Sequence, residues 1–404
     1  MNKVSLRDLA ILGGAPAFPA PLHVGRPNIG DREVLLERIN DILDRRWFTN
    51  NGYYVQEFER RLAELTGARH CIAMANGTVA LEIVIRALDL TGEVILPSMT
   101  FVATAHALQW QQIQPVFCDV DPHTFTLDPD RIAELITPRT TGILGVHLWG
   151  RVCDVERLSE VAVEHGLKLL FDAAHAFHTS HEGQMVGCFG DAEVFSFHAT
   201  KFFNTFEGGA VATNDDELAA KIRLMKNFGF AGYDNVIHIG TNGKMPEISA
   251  AMGLTGLESL EDFVATNRLN YHGYQRELDG LSGLRLWRYD ETERCNYQYI
   301  VLDINEAAAG LSRDDLAAIL WAENVLARRY FYPGCHAMEP YRTLYPDIAH
   351  RLPVTESLVG RTLVLPTGTA ITSAEIGEVC QIIRFAIKRG EELKSLMARE
   401  VVYA

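Results

Sequence analysis

Leu167-Lys168-Leu169-Leu170-Phe171-Asp172 and, a short distance on, Ala192-Glu193-Val194-Phe195-Ser196-Phe197-His198-Ala199-Thr200-Lys201 set the architecture of this chain. Each opens with a short apolar run of the kind a strand shows when a parallel sheet buries both of its faces. Ligands of open α/β sheets bind beyond the carboxyl ends of the strands, and that is where Asp172 falls. Lys201 lies in the loop directly behind the second run, at the next such end. Glu207-Gly208-Gly209-Ala210 follows and leads into a further strand candidate.

A carboxylate and a lysine in this order suit pyridoxal 5'-phosphate (PLP). That cofactor is held as a Schiff base on a lysine amine, and its ring withdraws electrons only while a carboxylate keeps the pyridine nitrogen protonated. Its phosphate needs donors, and Ala73-Met74-Ala75-Asn76-Gly77-Thr78-Val79-Ala80-Leu81 offers them between a strand and a helix. Gly77 permits close backbone approach, while the first helical amides and the Thr78 hydroxyl point at an anion that the helix dipole favours. Ser196 adds a second hydroxyl. Phe101, at the end of Pro97-Ser98-Met99-Thr100-Phe101, offers a face on which the ring can stack. Taken singly, Asp172 reads equally as a helix N-cap, Lys201 as a solvated loop residue, Gly77-Thr78 as a plain cap and Phe101 as a core side chain. The set together points to PLP.

Working outward, strand candidates at 70–75, 93–97, 115–120, 142–148, 167–171, 192–198 and 208–213 alternate with helix candidates at 78–90, 103–112, 129–136, 154–165 and 215–227. This predicts an α/β fold with a mainly parallel seven-stranded sheet flanked by helices. Ile248-Ser249-Ala250-Ala251-Met252-Gly253-Leu254 starts a long helix expected to run past residue 270. Strand-like 298–303 and helix-like 313–323 and 373–396 then form a smaller C-terminal α+β domain. The expected organisation is 25–260 for the large cofactor domain and 261–404 for the small one, with 1–24 as an N-terminal extension.

The chain has 404 residues, 48% of them hydrophobic, enough to bury a large core, and a formal charge of −15. Such an acidic balance excludes nonspecific nucleic-acid binding, so an anionic substrate must meet local cations. Arg328, Arg329 and Lys244 are the candidates, each reading equally as a solvated surface residue. The seven cysteines are odd in number and lack metal spacing, which fits reduced cytosolic thiols. None of the fourteen histidines pairs at a zinc spacing, and no metal is expected. Met1 to Gly13 lacks a secretory pattern and no apolar run reaches membrane-spanning length, so a cytoplasmic location without membrane contact is expected.

Together, Trp47-Phe48-Thr49, Phe58-Glu59, Asn76-Gly77-Thr78, Pro97-Ser98-Met99-Thr100-Phe101, Asp172-Ala173-Ala174-His175, Ser196 to Lys201, Asn242 and Leu352-Pro353-Val354-Thr355-Glu356 resemble the sugar-nucleotide aminotransferases of the DegT/StrS type. The resemblance covers nearly the whole chain. It implies the aspartate-aminotransferase-like fold, PLP fold type I. It further implies Lys201 as the Schiff-base lysine and proton shuttle, Asp172 against the pyridine nitrogen and His175 beside the ring hydroxyl. Gly77, Thr78 and Ser196 would hold the phosphate and Phe101 would cover the ring. Asn242 would cross a homodimer interface to the neighbouring site, and Tyr332 and His336 would lie near the substrate mouth.

The implied reaction is a two-stage transamination. L-glutamate leaves its nitrogen on the cofactor, and a keto-deoxy sugar carried on a nucleotide diphosphate takes it up. Pro97 to Thr104 looks most like the subgroup acting on dTDP-4-keto-6-deoxy-D-glucose, with a 3-keto sugar as the alternative. Products of such enzymes enter antibiotics or surface glycans. Relatives that act as dehydratases replace the lysine by histidine, and Lys201 speaks against that reading. A regulatory relative would need a DNA-binding domain, for which the segment before residue 25 has no room. Three departures stand out: Ala199 where proline is usual, Asn76 for a serine, and Leu365-Pro366-Thr367-Gly368-Thr369 where a leucine and a histidine are common.

Overall fold

A computed structural model of the chain describes residue 3 and residues 5–400. Its centre is a seven-stranded sheet: β1 (His70–Met74), β2 (Glu93–Pro97), β3 (Gln114–Cys118), β4 (Thr140–Val146), β5 (Lys168–Asp172), β6 (Ala192–Ser196) and β7 (Gly209–Thr213). The spatial order is β1-β7-β6-β5-β4-β2-β3. Every pairing is parallel except the two made by β7, which runs antiparallel between β1 and β6.

Strand periodicity explains why both faces are apolar. Ile72, Met74, Val194 and Val211 point into one core with α3 (Gly77–Ala87) and α6 (Asp216–Met225), where Ala80, Val84 and Ile222 meet them. Their neighbours Cys71, Ala73, Phe195, Ala210 and Ala212 point into the opposite core, with Phe58 of α2 (Tyr53–Thr66) and Ala250 and Ala251 of α7 (Glu247–Glu258). A side-chain period of two therefore distributes one strand between two helical layers. In the second core Phe203 lies 6.2, 4.7 and 5.1 Å, centroid to centroid, from Phe58, Phe177 and Phe197. Each such ring, fully buried, contributes about 1.5–3 kcal/mol. This cluster anchors the loop that carries Lys201.

Three expected helices differ in form. Residues 129–136 make two short 3₁₀ turns, Pro129–Arg131 and Ala133–Leu135. Pro129 at the start and Pro138 just beyond the end leave too few residues for a stable α-helical ladder. The long helix after residue 247 is interrupted at Ser259 (φ −105°, ψ 9°), giving α7 and then α8 (Leu260–Leu278). The C-terminal helix likewise divides into Ser373–Lys388 and Gly390–Glu400. A Cβ at Gly390 would lie 2.3 Å from the Ala309 carbonyl oxygen, so close packing on that turn sets the division.

The C-terminal unit holds a three-stranded antiparallel sheet, β8 (Leu284–Leu286), β9 (Ile300–Ile304) and β10 (Thr362–Leu365). The N-terminal segment, read from sequence as an extension, is built into this unit. Leu9, Phe18 and Leu22 are buried in its core with Tyr274, Leu302 and Leu320. Leu22–His23 pairs in parallel with Val325–Leu326, and the buried Glu323 accepts from the Ala10 and Ala17 amides and pairs with Lys3 at 2.9 Å. Among the described residues no helix is long and apolar enough to cross a membrane.

Candidate active site

The carboxyl ends of β4, β5 and β6 and the N-terminus of α3 open into a cavity of about 630 Å³. Val24, Gly25, Arg26 and Asn28 from the N-terminal segment and Thr367 and Gly368 from the C-terminal unit close its sides. Lys201, Asp172, His175, Gly77, Thr78, Phe101 and Ser196 all line it. Seven sequence-selected residues, spread over 125 positions from 77 to 201, thus meet in one place.

Asp172 ends β5 on the floor. Burial pushes its carboxyl above the usual range, while the Thr104 hydroxyl, donating to Oδ2 at 2.8 Å, and the Ala174 amide, donating to Oδ1 at 3.1 Å, oppose that shift. Thr100 continues the chain, its hydroxyl 2.9 Å from that of Thr104. Behind it, His147 accepts from the Cys153 amide at Nδ1 (3.1 Å), so Nε2 carries the proton and donates to Glu193 at 2.9 Å.

Lys201 is half-buried, and the desolvation of its amine in the cavity pulls it down to about 8, partly offset by the Asp172 charge. The neutral amine fraction therefore rises with pH through about 8 instead of above 10. Acylation of Lys201 in the cofactor-free protein, followed by mass spectrometry, is expected to show a midpoint near pH 8, whereas surface lysines respond two or more units higher. A midpoint shared with the surface lysines would place Lys201 in solvent and contradict the geometry.

His175 is held neutral, first by burial and then by the Lys201 charge. The Trp149 amide donates to its Nδ1 at 3.3 Å, leaving Nε2–H as the donor. Its ring lies 4.5 Å from that of Tyr299 and stacks on Phe331 at 5.7 Å. Phe101 is 58% exposed and forms a wall, unlike a core phenylalanine.

At the other end Asn76 caps α3, its side chain accepting from the Val79 amide at 2.8 Å. Its side-chain oxygen is thus committed to the cap and not to the cavity. A Cβ on Gly77 would lie 3.0 Å from the Ser196 Cβ, so glycine there keeps the cradle between helix and strand open without displacing Ser196. An amine, a buried carboxylate at the far end of the floor and a helix N-terminus beside two hydroxyls fit PLP as a donor set. The loop after β6 compensates for Ala199: the Thr200 amide donates to His198 Nδ1 at 3.2 Å, and the Lys201 amide donates to the His198 carbonyl at 2.8 Å.

Other selected residues fall elsewhere. His336 does not reach the cavity, because Nδ1 lies 2.6 Å from Ser98 Oγ and Nε2 lies 2.7 Å from Glu356. Tyr332 turns away and packs its ring 5.0 Å from the Arg313 and 4.9 Å from the Arg329 guanidinium. Their neighbours Tyr330 and Phe331 line the cavity instead. Arg329 is paired with Asp314 at 2.9 Å, and Lys244 donates to Asn227 over the Phe228 ring. Of the three candidate cations only Arg328 lines the cavity. Asn242 is exposed, bridged to Asn227, next to a ribbon that displays Phe230, Tyr233, Ile237 and Ile239.

Sequence reasoning missed Thr104, Arg26 and Asn28. Thr104 stands in the run Pro97 to Thr104 and one helical turn behind Phe101 was a readable position; Arg26 and Asn28 carry no local signal. Among the described residues no group of three or more His, Cys, Asp or Glu is placed to hold a metal ion, and all seven thiols are free.

Residues 30–384 match the model of the DegT/DnrJ/EryC1/StrS aminotransferase family. The chain is 37% identical over 366 residues to dTDP-4-amino-4,6-dideoxy-D-glucose transaminase of Shigella dysenteriae, covering 90% of this chain and 98% of that protein. It is 35% identical to GDP-perosamine synthase of Caulobacter vibrioides, with 89% and 96% covered. A crystal structure of DesI in the presence of its TDP-sugar product superposes with a TM-score of 0.92 at 49% identity, covering 97% of this chain and 99% of that one.

Proposed function

Because the chain belongs to the DegT/DnrJ/EryC1/StrS aminotransferase family and is a PLP-dependent sugar aminotransferase, we propose that it aminates C4 of dTDP-4-keto-6-deoxy-D-glucose with nitrogen from L-glutamate. The observation that carries this reading is the meeting of Lys201 and the buried Asp172 in one cavity with the N-terminus of α3. The names of the Shigella relative and of the DesI structure support the sugar and nucleotide.

When bound, PLP supplies an electron-withdrawing ring that makes the α-proton of an amino donor acidic. The protein residues do the rest. Asp172 holds the proton on the pyridine nitrogen, with Thr104 and Ala174 fixing both carboxylate oxygens. Gly77, Thr78 and Ser196 would take the phosphate, His175 Nε2–H would donate to the ring hydroxyl, and Phe101 would cover the ring. Lys201 Nζ would hold the cofactor, and its amine of lowered basicity is placed to move a proton at the donor's α-carbon and at the sugar carbon. Arg328 faces the anionic part of the substrate at the mouth.

The protein works as a homodimer, in which Asn242 of each protomer reaches toward the site of the other; the exposed apolar ribbon beside it supports that reading. Seven free thiols support a cytoplasmic setting, and the reaction belongs to deoxyamino sugar biosynthesis for an antibiotic or a surface glycan.

The test is transfer of ¹⁵N from labelled glutamate to a panel of nucleotide-linked 3-keto and 4-keto deoxy sugars. The expected product carries label on C4 of the dTDP sugar. Label on C3, or loss of a hydroxyl without lasting nitrogen, would overturn the assignment in favour of a 3-aminotransferase or a dehydratase.

A further inference from the structure

The segment Val24 to Asn28 precedes residue 30, where the family match begins, yet it closes one side of the cavity. It is held at its start by the pairing of Leu22–His23 with Val325–Leu326. From there it lies directly on the loop that bears Lys201. Gly25 has φ +76°, and a Cβ on it would fall 2.7 Å from the Thr200 carbonyl oxygen and 3.0 Å from the Thr200 Cβ. Only glycine permits both that backbone conformation and that approach.

Asn28 completes the contact from the other side. It is 1% exposed. Its Nδ2 donates to the Phe202 carbonyl at 2.8 Å, and its own carbonyl accepts from Asn204 Nδ2 at 2.9 Å. The same amide's Oδ1 accepts from the Thr369 amide at 3.0 Å and the Thr369 hydroxyl at 2.8 Å. Thr369 follows Thr367 and Gly368 on the cavity wall, which Asn270 holds through its own amide, donating to the Gly368 carbonyl at 3.0 Å. Residues 200 and 202 are thus both held by the N-terminal segment, and Lys201 stands between them.

We infer that Asn28 is a positioning residue for Lys201, fixing the loop from which the amine reaches the reacting atoms and joining that loop to the C-terminal wall of the site. The inference rests on the proposed role of Lys201. A buried amide with partners at both ends transmits placement because losing either end strands a buried carbonyl or amide. Displacing a catalytic group by about 1 Å costs on the order of 10²-fold in rate. Although Asn28 lies on the cavity wall, its side-chain amide is engaged by Phe202 and Thr369, so its loss is expected to act on kcat more than on KM.

The experiment compares Asn28→Ala, Gly25→Ala and Thr369→Val, each with the full chain and below its measured melting temperature. Gly25→Ala disturbs the Thr200 side without touching the C-terminal wall, so the inference stays testable if Asn28→Ala folds poorly. Thr369→Val removes one bond at the far end and leaves the Phe202 tie intact. Expected are losses of about 10- to 100-fold in kcat for the first two, with KM for both substrates within about threefold, and near wild-type kcat for Thr369→Val.

The second readout needs no cofactor: the pH midpoint for acylation of Lys201 should move upward in the first two variants as the amine gains water. Asp172 and His175 beside it, and Glu207 and Arg328 across the cavity, are unchanged. Unchanged kcat and midpoint in Asn28→Ala and Gly25→Ala would overturn the inference, as would an equal loss in Thr369→Val. If instead the wild type shows neither nitrogen transfer nor a Lys201 midpoint near pH 8, the functional reading fails and not the placement of Asn28.

Discussion

Lys201→Ala is expected to lower nitrogen transfer by about 10⁴-fold or more, the upper end of what one positioned proton-transfer group contributes, with loss of covalent attachment added. Lys201 is the only lysine on the cavity wall among the described residues, so no neighbouring amine can substitute. Its removal should not unfold the protein. Burial pulls the amine down to about 8, which means the folded state disfavours the ammonium, and alanine relieves that cost. Lys201→Arg separates charge from chemistry: a guanidinium keeps the positive charge but stays protonated at any working pH, so this variant should be equally inactive. A small primary amine added to the alanine protein should recover part of the activity, since the missing group is an amine and the removed side chain leaves room for it. Single-turnover ¹⁵N transfer measures all three. Retention of more than about 1% of the rate in Lys201→Ala, well above the expected residue, would remove Lys201 from the mechanism.

How far such a site can be read in advance depends on where its signals lie along the chain. The strands of the large sheet were legible because burial on both faces forces continuous apolar runs, as in Leu169-Leu170-Phe171 and Val94-Ile95-Leu96. Asp172 and Lys201 were legible for a related reason: each follows such a run and lies at a carboxyl end, where topology gathers residues from distant positions. Illegible features came from contacts between segments far apart in sequence. Asn28 bonds to Phe202 and Thr369, separated from it by 174 and 341 positions, and nothing in Arg26-Pro27-Asn28 announces either partner.

The resemblance pointed to Tyr332, whereas its neighbours Tyr330 and Phe331 are the members of that run that line the cavity. Backbone direction alone decides that Tyr330 and Phe331 face the cavity while Tyr332 meets Arg313 and Arg329. His336 misled for a similar reason, since a histidine near a site can spend both nitrogens on Ser98 and Glu356. Thr104 lay within a run that was read for its phenylalanine. Its hydroxyl matters because the helix starting at Val102 turns it onto Asp172, a direction that spacing alone does not give. The helices interrupted at Ser259 and Arg389 show the same limit, as tertiary packing divides segments whose periodicity is continuous.

Asp172→Asn should lower turnover by roughly 10²–10⁴-fold, the scale of a lost proton-holding group, while leaving the fold intact. The substitution keeps shape. The asparagine carbonyl oxygen can still accept from the Ala174 amide, and the Thr104 hydroxyl can reverse to accept from the new NH₂ group, so no buried partner is stranded. What disappears is the negative charge. Without it nothing in the cavity floor holds a proton on the pyridine nitrogen, and the ring cannot draw electrons from the bond to be broken. Cofactor retention should weaken as well, because the carboxylate's charge-assisted bond is replaced by a neutral one. Thr104→Val tests the same logic at a smaller scale: it removes one of two donors to the carboxylate, and burial then pushes Asp172 further toward its neutral form, with an expected loss nearer tenfold, about the worth of one hydrogen bond to a charged group. Steady-state kcat together with equilibrium dialysis of PLP distinguishes these outcomes. A Thr104→Val effect as large as that of Asp172→Asn would mean that the hydroxyl itself touches the cofactor, and an Asp172→Asn enzyme within tenfold of wild type would place the electron-withdrawing partner elsewhere.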